Sequence, residues 1–133
     1  MASRILQAIV ATAALSAAAC TTQAAEPRNA AGNLDDAALH AYAARPWDKA
    51  SLMGTTVPLG RYQGVPVVAE FPCADVCPKY TVRIIHYVLP EGMSCAAAGG
   101  VEDSVPVPVA ITVLQKTFCF PKTLVDAGQH FTR

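Results

Sequence analysis

The chain has 133 residues, 53% of them hydrophobic, with ten basic and ten acidic side chains, so its formal charge is zero. That length gives one domain at most, and the balanced charge supplies no basic face for nucleic acid and too little net charge for a typical disordered chain. Five Cys, an odd number, make the fate of each thiol the first question.

Composition shifts near residue 50: of 25 Ala, 18 lie in residues 1–50, whereas 13 of 14 Val lie after it. Ala favours helix and Val favours strands, so an Ala-rich export segment, tether and helix should precede a Val-rich β domain. Residues 1–19 read as a signal peptide, with Arg4 as the charged start and Ile5 to Ala19 as a mostly apolar run. Fifteen helical residues reach only about 22 Å, short of the roughly 30 Å a permanent span needs.

The run ends Ser16-Ala17-Ala18-Ala19-Cys20, which resembles the lipobox of bacterial lipoproteins, in which a Cys after small residues carries diacylglycerol and becomes the mature N-terminus. In that family Leu usually stands where this chain has Ala17. The resemblance implies lipidation of Cys20, and Thr21, in place of the Asp that retains such proteins at the inner membrane, implies an outer-membrane lipoprotein facing the periplasm. The rival is ordinary cleavage after Ala19 or Ala24, which would leave the chain secreted to the periplasm. Parity favours lipid, because assigning Cys20 leaves four Cys able to pair.

Residues 20–33 lack bulky apolar side chains and include Pro27 and Gly32, the composition of a flexible tether. Residues 34–133 should form one small α+β envelope domain. It opens with an amphipathic helix over Leu34 to Arg45, with Asn33 as N-cap, Leu34, Ala37, Ala38, Ala41 and Tyr42 on one face, and Pro46 as the stop. Val57–Tyr62 and Val65–Phe71, separated by Gln63-Gly64, read as a hairpin with Val65, Val67, Ala69 and Phe71 inward. Tyr80 to Leu89 is apolar on both faces and predicts a central strand.

Val105 to Phe120 alternates with Val105, Val107, Val109, Ile111 and Val113 inward, its first half confined to an edge by Pro106 and Pro108. These three Val-rich segments should build one antiparallel sheet against the helix. Lys122 to Ala127 predicts a last helical turn ended by Gly128.

The chemistry centres on Cys73-Ala-Asp-Val-Cys77-Pro78. Two thiols at this spacing suit a soft metal, disulfide exchange, or structural bridges. The six residues are similar to the Cys-x-x-x-Cys-Pro site of SCO-type copper chaperones, which implies Cys73 and Cys77 as ligands with His86 or His130 as the imidazole. In that family the motif opens a helix of a thioredoxin fold, whereas here Pro78 leads into a β-type run. The leading expectation is therefore structural: Cys73, Cys77, Cys95 and Cys119 form two disulfides in an exported domain too small to rely on its core. If Tyr80–Leu89 pairs with Val105–Phe120, Cys119 comes to the end that holds Cys73 and Cys77. That favours one of the two crossed pairings, Cys73 to Cys119 with Cys77 to Cys95 ahead of Cys73 to Cys95 with Cys77 to Cys119, over a local Cys73–Cys77 link.

Other polar residues have simpler readings. His86 on an apolar strand face is a packed side chain before it is a ligand, and His40 and His130 have no local carboxylate or Cys. Ser94 lacks the second Gly of a nucleophile elbow, Gly99-Gly100 precedes Glu102 and Asp103 in a loop rather than a phosphate-binding Lys, and Trp47 fills the core. The function expected is a non-catalytic binding or structural role in the cell envelope, without cofactor, the partners being the membrane and an envelope protein or glycan. Soft-metal handling through Cys73, Cys77 and His86, and a small periplasmic enzyme without a recognisable motif, are the alternatives.

Overall fold

Gln63 and Gly64 both take positive φ, 51° and 83°, the backbone that matches the twist of a two-residue hairpin. They join the two strands around which the rest assembles. The computed structural model describes residues 32–72, 81–109 and 112–133. In chain order these form β1 (Asn33–Leu34), α1 (Asp36–Ala44), α2 (Lys49–Leu52), β2 (Thr55–Tyr62) and β3 (Val65–Phe71). Then follow β4 (Arg83–Tyr87), β5 (Gly100–Val109), β6 (Thr112–Pro121), α3 (Lys122–Asp126) and β7 (Phe131–Thr132). The architecture is mixed α+β, mostly sheet, with short helices.

Five strands make one sheet in the order β1-β2-β3-β4-β7, and β5 with β6 makes a separate two-stranded ribbon. All pairs are antiparallel except β1 with β2, where Asn33 and Leu34 run parallel to Arg61 and Tyr62. β4 is apolar on both sides because it lies between two cores. Ile85 and Tyr87 face a helix-side core with Leu39, Tyr42, Leu59, Val67, Phe71 and Leu124. Val82 and Ile84 face Val105, Val107 and Phe120 of the ribbon. A fully buried Leu or Phe contributes about 1.5–3 kcal/mol by leaving water, so the larger helix-side cluster carries most of this term.

Several expectations need correcting. Asn33 is a strand residue; the cap of α1 is Asp35, whose carboxylate accepts from the Ala38 N–H at 2.7 Å. The helix is accordingly shorter, and its inward face is Ala38, Leu39, Tyr42 and Ala43, with Ala37 and Ala41 exposed. Small Ala residues on both sides hid which side Leu39 selects. The run from Val105 to Phe120 is two strands, since β5 and β6 fold back with Val109 opposite Thr112. Val109 and Val113 are exposed, not inward.

β4 pairs with β3 and β7, not with the ribbon, so the three Val-rich segments do not share one sheet. Glu102 and Asp103, expected in a loop, lie in β5. The final turn ends as the sequence suggests: Gly128 has φ 67°, its N–H bonds Val125 O at 3.0 Å, and the Gln129 N–H bonds Leu124 O at 2.8 Å.

Candidate functional site

That glycine-terminated end of α3 aims residues 129–132 back across the molecule, and their polar groups tie its layers together. Gln129 Oε1 accepts from His40 Nδ1 on α1, and His40 Nε2 lies 2.8 Å from the Thr123 hydroxyl. The Gln129 carbonyl accepts from Arg83 at 2.7 Å, and the same guanidinium reaches Ala43 O at 3.1 Å. Arg83 is only 2% exposed and no described carboxylate pairs with it. Burial pulls it down to about 10, and the carbonyl at the end of α1, where the helix dipole is negative, offsets part of that cost. His130 turns the other way, with Nε2 2.8 Å from Asp103 of β5 and its ring edge-on to Phe120, centroids 4.6 Å apart.

His86 lies under the ribbon, its ring 4.6 Å from that of Phe118. Its Nδ1 meets the Tyr87 carbonyl at 2.9 Å and its Nε2 meets Glu70 at 3.1 Å. The bond from His86 is the main cause holding the Glu70 carboxyl below its usual range; burial opposes this, and the charges of His86 and Lys116 assist. A carboxyl depressed in the fold stabilises the protein above its unfolded pKa, about 4.5, and that contribution is lost as pH falls through the lower folded value. Glu70→Gln should therefore be less stable than wild type near neutrality by about 1 kcal/mol, the two converging at low pH. Urea midpoints followed from about pH 6 to about pH 2 test this, and parallel curves would refute it.

Among the cysteines, Cys95 and Cys119 are joined, with Cα atoms 5.5 Å apart. This overturns both crossed pairings. Their premise, a ladder between Tyr80–Leu89 and Val105–Phe120, does not form. Instead β6 returns along β5, bringing Cys119 opposite Glu102 and beside the turn that holds Cys95. Cys20, Cys73, Cys77 and the copper-site resemblance lie outside the described residues. His86, the imidazole of that reading, has both ring nitrogens engaged, as expected of a packed side chain.

Ser94 accepts the Ala97 N–H at 3.0 Å and acts as a turn residue. Trp47 packs against Tyr42 and Phe71, and its N–H bonds the Tyr42 carbonyl at 2.9 Å. What the sequence hid was the His130–Asp103 pair, because 27 residues separate its members and only the ribbon brings them together.

A shallow depression of about 310 Å³ is lined by Tyr62, Gln63, Gly99, Lys122, Thr123 and Asp126. Tyr62 donates to Asp36 beside it, and burial, with that bond and charge, pushes the phenol up to about 12. Lys122 and Asp126 bond each other at 2.8 Å. These bonds hold the surface together, and Thr123 on the same wall carries the hydroxyl that meets His40 Nε2. Two buried polar atoms, Tyr87 Oη and His130 Nδ1, lack a partner among the described residues. Among those residues no three His, Cys, Asp or Glu are grouped to hold a metal, and no helix is long and apolar enough to cross a membrane. Compared with protein families, curated proteins and solved structures, the chain matches none.

Proposed function

We propose that this chain is a small exported protein of the cell envelope, anchored through a lipid on Cys20, whose stapled α+β domain has a non-catalytic binding or structural role. The observation that carries the reading is the Cys95–Cys119 bridge, since such bonds form and persist in oxidising compartments outside the cytosol. The signal-like segment before Cys20 supports it. The membrane is one partner, and an envelope protein or glycan is the other.

Cys20→Ser should move the protein from the membrane fraction to the soluble fraction. A wild-type mature chain that begins at Ala25 would overturn the anchor, leaving a protein secreted to the periplasm.

The same bridge favours a second reading of the motif at residues 73–78. With Cys95 and Cys119 taken and Cys20 lipidated, Cys73 and Cys77 have only each other. A local bridge makes a second staple, whereas two thiols make a soft-metal or redox pair. Mass spectrometry before and after reductant separates the two. A gain of four hydrogens means two bridges, and a gain of two, with alkylation at Cys73 and Cys77, means metal or thiol chemistry.

A further inference from the structure

We propose that β6 is an open pairing edge that accepts β6 of a second copy of this chain, antiparallel about a two-fold axis. Residues of an antiparallel pair alternate between those bonded to the partner strand and those whose N–H and C=O point away. Pro106 and Pro108 have no N–H, so Pro106 opposite Gln115 and Pro108 opposite Val113 are the pairs that point away. Two further bonds fit this parity. The Gly100 N–H is used by Cys95 O, outside the ladder, and the Ser104 N–H by the Asp103 carboxylate. In the exposed half of β6, Thr112 to Thr117, the outward groups are therefore those of Val113, Gln115 and Thr117.

The two edges of the ribbon differ. β5 lacks donors at Pro106 and Pro108 and is closed to pairing. β6 has no proline before Pro121, its side chains from Thr112 to Thr117 are exposed, and no described strand other than β5 is hydrogen-bonded to it. Beside this edge sit three exposed apolar side chains, Val109, Val113 and Leu114.

A second copy fits because one open edge and one closed edge end the assembly at two chains, where two open edges would propagate a fibre. Placing Gln115 opposite its own copy pairs Val113 with Thr117 of the second chain and satisfies all three outward positions. Lys116 then faces Leu114 of the second chain rather than another Lys116, so no like charges meet and its methylene stem covers the exposed Leu. A five-residue contact is far below the roughly 800 Å² per partner of a stable interface, so the dimer should be weak.

The test is sedimentation velocity of the full chain carrying Cys20→Ser, which removes the anchor, up to about 1 mM, the range for a weak contact. The expected result is a mass rising toward twice that of the monomer. Adding Gln115→Pro should abolish the rise without moving the thermal midpoint, because this N–H is not used in the ribbon. Gln115→Cys should form a covalent dimer on oxidation, its Cα atoms being about 5.5 Å apart across the axis. A chain monomeric throughout, equal dimerisation of the proline variant, or growth beyond two chains would overturn the proposal. So would a monomer that floats with phosphatidylcholine vesicles and loses that binding on Leu114→Asp, which would give the apolar tip to lipid.

Discussion

Removing the bridge with Cys95→Ser and Cys119→Ser together is expected to lower the free energy of unfolding by about 3 to 4 kcal/mol. The two residues are 24 apart in sequence, and releasing a loop of that length returns this much chain entropy to the unfolded state. The native state suffers too. Gly100 sits so close that a Cβ there would lie 2.6 Å from Cys119 Sγ and 3.1 Å from Cys95 Sγ, so the base of the ribbon is built around the sulfurs. For a domain of this size the thermal midpoint should fall by about 15 °C or more. A loss below about 1 kcal/mol in urea unfolding would mean that the ribbon is held by Phe120 and its neighbours alone.

That bridge also depends on a chain reversal that carries no local sequence signal. The hairpin of β2 and β3 was legible because Gln63-Gly64 is a local turn signal and Val65, Val67, Ala69 and Phe71 keep a period of two. The glycine-terminated end of α3 was legible for the same reason. The reversal from β5 to β6 was not, because the sequence between Val109 and Thr112 has no Gly, Asn or Asp and the apolar alternation runs through it.

That one reversal sets the position of Cys119, and with it the disulfide partner, the contact of Asp103 with His130, and the edge that β6 presents. Pro106 and Pro108, lacking N–H groups, stand at an edge as their chemistry dictates, yet the edge belongs to a ribbon of its own. At the candidate site, the engagement of His86 was foreseeable from its apolar strand. Its partner Glu70 becomes visible only when β3 and β4 are placed side by side, with Glu70 opposite Ile84 and Val68 opposite His86.

Gly60→Ala is expected to cost about 3 to 5 kcal/mol, combining backbone strain with a clash that cannot be relieved by a rotamer. Gly60 has φ 132° and follows the bulge at Leu59, where the register of β2 on β3 shifts. A Cβ there would stand 2.2 Å from the carbonyl oxygen of Gly32 and 3.3 Å from Leu34. That carbonyl is itself the acceptor for the Arg61 N–H at 2.7 Å, so it cannot move aside without breaking the first bond that holds β1 to the sheet.

Gly64→Ala is the control, because Gly64 also has positive φ but nothing within 4 Å of its Cβ. It should cost only the strain of a side chain in left-handed backbone, about 1 to 2 kcal/mol. Urea unfolding of both variants reads the difference. If Gly60→Ala proves no worse than Gly64→Ala, the start of the domain is not seated on β2. If it is worse by the expected margin, proteolysis should also show cleavage near Gly32 in the variant before the rest of the fold opens, since only two strand residues, Asn33 and Leu34, hold that end.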